Sequence, residues 1–122
     1  MKAMIVDDQA SIRGMLKMLI GELGFDKIAE ADNGASAVTT YKAEKPDLVL
    51  MDINMPKVTG VDALRQIIAH DPDAVVVMLT SQDTAQVVRQ CLEAGASHYI
   101  LKNVTPPKIQ EQLKDLVAEL YG

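Results

Sequence analysis

A chain of 122 residues with 48% hydrophobic side chains has the size of one compact domain, and enough apolar surface to bury a core without a disulfide or metal staple. One cysteine, Cys91, excludes an internal disulfide, and the lack of a Cys/His cluster fits a reducing compartment, so a cytoplasmic location is expected. The formal charge of −5 and the 3% aromatic content exclude the basic stripe and stacking platform that nucleic-acid binding asks for, and no apolar run is long enough for a signal sequence or a membrane span.

Met4-Ile5-Val6 predicts a first strand. Ile12, Met15, Leu16, Leu19, Ile20 and Leu23 then recur at the three-and-four spacing of a helix with one apolar face, stopped by Gly24. Gly14 inside that helix costs about 1 kcal/mol relative to Ala, and a close approach to the sheet is the expected reason for it. Lys27-Ile28-Ala29 predicts the second strand. The second helix follows Asn33-Gly34 with Ala35, Val38 and Tyr41, and ends before Lys45-Pro46 because the residue preceding a proline is pushed out of helical geometry. Leu48 to Met51 is the third strand, and Val61, Leu64, Ile67 and Ile68 mark a third helix closed by His70-Asp71-Pro72. Val75 to Leu79 is the fourth strand, and Val87, Val88, Cys91 and Leu92 mark a fourth helix closed by Gly95. Tyr99-Ile100-Leu101 is the fifth strand. The last helix opens at Thr105-Pro106-Pro107 and carries Ile109, Leu113, Leu116, Val117 and Leu120 on one face. The seven methionines read as gap-filling core residues, and Cys91 as packed against the core.

Several strand runs are apolar without alternation, as strands covered on both faces must be. With the regular alternation of strand and helix, this predicts an α/β domain: a doubly wound five-stranded parallel sheet with five helices.

Ligand sites of such sheets collect at the carboxyl ends of the strands. There the sequence places Asp7 and Asp8 after the first strand, Asp52 after the third, Thr80 and Ser81 after the fourth, and Lys102 after the fifth. A single aspartate after a strand is ordinarily a turn former or helix cap. The constellation asks for more. Three carboxylates brought together repel one another, and a hard, oxygen-seeking cation such as Mg²⁺ relieves that repulsion. A lysine and a hydroxyl beside them suit the oxygens of a phosphoryl group, with Asp52 the candidate nucleophile. His98 has no partner at ligand spacing, so a histidine metal site is not expected, and His70 reads as a favourable charge at a helix end.

These residues resemble the receiver domains of bacterial two-component response regulators, in particular the stand-alone CheY-like members. The likeness rests on Ile5-Val6-Asp7-Asp8, on Asp47 to Pro56 with Gly60 after it, and on Leu79-Thr80-Ser81, Ala94-Gly95-Ala96 and Tyr99-Ile100-Leu101-Lys102. It covers essentially the whole chain and implies a single receiver domain over residues 1–122, strand order 2-1-3-4-5 and no output domain. It further implies that Asp52 accepts a phosphoryl group from a sensor histidine kinase. Asp8, Asp52 and the backbone carbonyl of Asn54 would hold Mg²⁺, with Mn²⁺ as a substitute, and Asp7 would act mainly through a bound water. Lys102 would pair with one phosphoryl oxygen and Thr80 with another, while Tyr99 moves inward as the switch. The face of the fourth helix, fifth strand and fifth helix, through Val88, Tyr99 and Lys108, would then bind a protein such as a flagellar motor switch. A chemotaxis setting, a phosphatase partner, slow autodephosphorylation and a monomer are the corresponding expectations, with a phosphorelay intermediate or a phosphorylation-independent scaffold as the alternative.

The chain departs from the family pattern after the lysine, where Asn103 stands in place of a proline that follows a cis peptide. A cis bond costs about 2.5–4 kcal/mol before residues other than proline, so a trans or strained turn is expected, altering how this loop tightens. Ser81 and Gln82 border the pocket and bear on access of the hydrolytic water. A Mg²⁺-dependent phosphohydrolase acting on external substrates would use the same carboxylates, but it needs a substrate pocket, and Asn54 stands where a general acid is expected. Flavin or nucleotide binding fails for want of a glycine-rich loop after the first strand, which runs into Asp7-Asp8-Gln9-Ala10.

Overall fold

The structure, a computed structural model, describes residues 1–53, 55, 58–81 and 85–121. Strand and helix alternate along the chain as β1 (Lys2–Val6), α1 (Ala10–Gly21), β2 (Lys27–Ala31), α2 (Gly34–Glu44), β3 (Leu48–Asp52), α3 (Gly60–His70), β4 (Val76–Thr80), α4 (Ala85–Glu93), β5 (His98–Leu101) and α5 (Pro106–Tyr121). The strands form one parallel sheet in the order β2-β1-β3-β4-β5, the flavodoxin-like winding.

Alternate side chains of each strand point to opposite faces. Met4, Val6, Val49, Met51, Val76 and Met78 face one core with Val38, Leu64, Ile67 and Cys91 of α2, α3 and α4. Ala3, Ile5, Leu48, Leu50, Val77, Leu79 and Ile100 face the other with Leu16, Leu19, Ile20, Ile109 and Leu113 of α1 and α5. Every residue of β3 and β4 is buried, the consequence of helices on both faces.

Local chemistry sets the helix boundaries. The Asn33 side chain accepts from the Ser36 N–H at 2.8 Å and opens α2, and the Thr59 hydroxyl accepts from the Asp62 N–H at 3.2 Å and opens α3. Gly24 and Gly95 take positive φ, 99° and 106°, past the ends of α1 and α4.

Four expectations are corrected. Ala35 is exposed, the inner face of α2 being Gly34, Ala37, Val38 and Tyr41. Leu92 is 48% exposed, because α4 turns Cys91 to the sheet and leaves Leu92, one residue round the helix, outside. Met4, Met51, Met55 and Met78 do fill the core, but Met1 and Met18 are exposed. A Cβ on Gly14 would meet nothing within 4 Å, so no close approach to the sheet explains that glycine.

Candidate functional site

The parallel register brings the carboxyl ends of the strands level: Val6 lies opposite Met51, Asp52 opposite Leu79, and Thr80 opposite Leu101. Asp7, Asp52, Thr80 and Lys102 therefore meet at one sheet edge, and the first three are buried. Asp8 is exposed beside them. One carboxylate oxygen from each of Asp7, Asp8 and Asp52 lies within 4.8 Å of the others.

Lys102 bridges the cluster. Its ammonium Nζ is 3.0 Å from Asp52 Oδ1 and 3.5 Å from Asp7 Oδ2. Burial works against its charge, but the hydrogen bond to Asp52 and the fields of Asp52 and Asp7 prevail, holding its pKa above the ordinary lysine value. Asp7 shifts upward too, mainly because burial penalises its charge; the Gln9 N–H and Lys102 oppose the shift, while Asp52 and Asp8 add to it. Asp7 Oδ1 accepts that Gln9 N–H at 2.9 Å, a two-residue side-chain turn into α1, whereas the buried Oδ2 accepts no hydrogen bond.

A divalent cation fits these residues. The donors are hard carboxylate oxygens, they crowd one another, and one of them is buried with an unfilled lone pair. Among the described residues no other group of three or more Asp, Glu, His or Cys side chains converges in this way. His98 instead makes a pair with Glu119, Nε2 to Oε2 at 3.5 Å. Asn54 and Gln82 lie outside the described residues.

The backbone around Lys102 resolves the question raised by Asn103. The Lys102–Asn103 peptide is trans. The Lys102 N–H donates to the Thr80 carbonyl at 2.9 Å, and the Asn103 Nδ2 donates to the Ser81 carbonyl at 3.3 Å, so this asparagine ties the loop after β5 to the loop after β4.

Tyr99 is 41% exposed and lines a groove between β5 and α5 with His98, Gln112, Asp115 and Glu119. Val88 is half-buried on α4, and Lys108 is exposed in the first turn of α5.

Two supporting residues, Arg13 and Gln112, escape a sequence reading, and Gly60, already a mark of the family likeness, gains its physical reason from the structure. Arg13 donates from a guanidinium nitrogen to the Asp7 carbonyl at 2.8 Å and from Nε to Glu30 at 3.2 Å, steadying the β1–α1 loop. Gly60 packs so tightly that a Cβ would lie 2.1 Å from the Asp52 carbonyl oxygen. Gln112 hydrogen-bonds both backbone groups of Leu101. The last had a faint signal, a polar residue beside the apolar stripe of Ile109, Leu113 and Leu116.

Fold and site together define an α/β domain with a cation-fitting acidic pocket facing a lysine at the carboxyl edge of its sheet. The chain belongs to the response regulator receiver domain family, whose model matches residues 3–114. It is 39% identical over 112 residues to the chemotaxis protein CheY of Thermotoga maritima, covering 92% of this chain and 93% of that one. It is also 39% identical over 111 residues to the transcriptional regulatory protein DegU of Brevibacillus brevis, covering 90% of this chain but 47% of the relative. Among solved structures it resembles a chain of the CheX-CheY-BeF3-Mg²⁺ complex of Borrelia burgdorferi, with TM-score 0.86, 32% identity, and 94% and 87% of the two chains covered.

Proposed function

We propose that this chain is a phosphorylation-controlled signalling protein in which Asp52 accepts a phosphoryl group from the phosphohistidine of a sensor kinase. The observation that carries the reading is the contact of Lys102 Nζ with Asp52 Oδ1 at 3.0 Å beside the carboxylates of Asp7 and Asp8. A nucleophilic carboxylate and a fixed cation sit together where the charge of a transferring phosphoryl group must be met.

In the transfer, an Asp52 oxygen forms the new P–O bond as the donor's P–N bond breaks, and the electron pair leaves with the imidazole, which takes up a proton. Lys102 passes from the carboxylate to a phosphoryl oxygen, and the Thr80 hydroxyl serves another. Asp8 and Asp52, with the Asn54 carbonyl, would hold Mg²⁺ or Mn²⁺, and Asp7 would act through water. When bound, the cation supplies charge neutralisation. Hydrolysis reverses the modification: water attacks phosphorus and the Asp52 carboxylate leaves. The chemistry is self-modification, not turnover of an external substrate.

The phosphoryl group shifts the conformational balance only by interacting differently with two states. Lys102 and Thr80 are the groups able to do so, because they stand at the ends of β5 and β4 and are joined through the Lys102 N–H. Inward motion of the exposed Tyr99 would change the surface made by α4, β5 and α5, with Val88 and Lys108 on its flanks. A protein target is expected there, a flagellar motor switch if the setting is chemotaxis, as the CheY relatives suggest. The CheY chain solved in complex with CheX supports a second protein partner, for which we keep the expected phosphatase. A cytoplasmic location and a monomeric state complete the reading. No helix among the described residues is long and apolar enough to cross a membrane.

The test is intact-protein mass after incubation with Mg²⁺ and acetyl phosphate. A single phosphoryl adduct is expected on the natural chain and none on Asp52→Asn. No adduct after rapid quenching, under conditions that modify a control receiver, would leave the phosphorylation-independent scaffold.

A further inference from the structure

We propose that Gln112 is a positioning residue for Lys102, its side-chain amide serving as a one-residue surrogate strand on the open edge of β5. The inference rests on the phosphoacceptor reading of Asp52.

Among the described residues β5 ends the sheet, with β4 on one side and no strand on the other. Edge strands of this kind leave a row of backbone donors and acceptors without ladder partners. At Leu101, the last residue of β5, α5 fills the row. Gln112 Oε1 accepts from the Leu101 N–H at 3.3 Å, and Gln112 Nε2 donates to the Leu101 carbonyl at 3.2 Å. A carboxamide has the donor and acceptor of a peptide group in one plane, so it can occupy a ladder position that few other side chains can. The same Nε2 lies 3.4 Å from the Lys108 carbonyl, which holds the amide to its own helix.

The placement matters because Lys102 is the next residue. On the sheet side its N–H is fixed by the Thr80 carbonyl at 2.9 Å. On the open side Gln112 fixes the peptide from which it departs. No proline ring follows, since position 103 is asparagine in a trans peptide, so backbone hydrogen bonds must hold the direction of the Lys102 side chain. Its 3.0 Å contact with Asp52 depends on that direction, and misplacement of a catalytic group by about 1 Å can cost up to about a hundredfold in rate. Both Gln112 bonds are long, so the effect expected on removing them is smaller, about tenfold.

The experiment measures the rate of Asp52 phosphorylation by acetyl phosphate with Mg²⁺ in the natural chain, Gln112→Leu, Gln112→Glu, Lys102→Ala and the Gln112→Leu/Lys102→Ala double variant. Hydrogen exchange at the Leu101 amide and Mg²⁺ binding by calorimetry run alongside. Gln112→Leu should slow phosphorylation about tenfold, speed Leu101 exchange and leave Mg²⁺ binding unchanged. Gln112→Glu, which keeps the acceptor but not the donor, should fall between. In the Lys102→Ala background the Leu substitution should change the rate less than about twofold, because a residue acting through Lys102 has nothing left to position. A Gln112→Leu rate within about twofold of the natural chain overturns the inference, as does an equal loss in the two backgrounds, which would mark a general structural effect. A natural chain that takes no adduct overturns the phosphoacceptor reading and the inference with it, and Leu101 exchange then shows whether the edge contact itself was correct.

Discussion

Asp7→Asn should make the protein more stable while removing part of its cation site. Asp7 is wholly buried, its Oδ2 accepts no hydrogen bond, and burial is the largest cause of its raised pKa. Two charge interactions act on it. At an effective dielectric constant of about 20, Lys102 at 3.5 Å attracts it by about 5 kcal/mol, and Asp52, within 4.8 Å, repels it by at least about 3.5 kcal/mol. The exposed Asp8 adds a screened repulsion, so the charge terms largely cancel and the burial cost remains, on the order of 1–3 kcal/mol. Asparagine has the same shape, retains the oxygen that accepts the Gln9 N–H, and carries no charge. Urea and thermal denaturation with a chelator present should show a gain of about 1–2 kcal/mol, or about 3–8 °C in the midpoint. Free Mg²⁺ at about a hundred times its Kd should return about 2.7 kcal/mol to the natural chain and less to the variant. An Asp7→Asn variant no more stable than the natural chain in chelator would refute the view that this carboxylate is held at a cost for binding a cation.

Gly60→Ala should destabilise by about 2 kcal/mol or more and slow acetyl phosphate labelling of Asp52, since its Cβ would press on the Asp52 carbonyl and the Ile53 backbone at 2.1 and 2.8 Å; denaturation and adduct mass check both effects. Gly14→Ala, on the exposed face of α1 with open space for the methyl, should instead stabilise by about 0.5–1 kcal/mol in urea with the labelling rate unchanged. Tyr121→Phe should cost about 1 kcal/mol through loss of the 2.6 Å bond from its phenol to the Asp47 carbonyl. Burial first, then the Asp47 charge, raises the Tyr121 pKa; the folded state therefore holds this proton more tightly, and the natural chain loses stability as pH rises above about 10. The phenylalanine variant should show a flatter alkaline limb in a stability-versus-pH series.

The kind and order of the elements were legible in the chain alone, because apolar periodicity and boundary signals such as Asn33-Gly34, Gly24 and Gly95 are properties of contiguous residues. So was the set of residues at the carboxyl edge, since Asp7, Asp52, Thr80 and Lys102 each stand at or just past the end of a strand. Periodicity was less informative where an apolar residue borders the buried stripe, and so it placed Leu92 inside; Met18 was assigned to the core by residue type alone, although the α1 stripe had passed it by. Register, and the path of one element past another, are settled by contacts between residues far apart in the chain. Those decided that the buried Asp7 Oδ2 would receive no hydrogen bond, that the Asp52 carbonyl would leave no room for a Cβ at Gly60, and that the open edge of β5 would be closed by the amide of Gln112. Each depends on distances of a few tenths of an ångström across the fold, which no pattern confined to one element can specify.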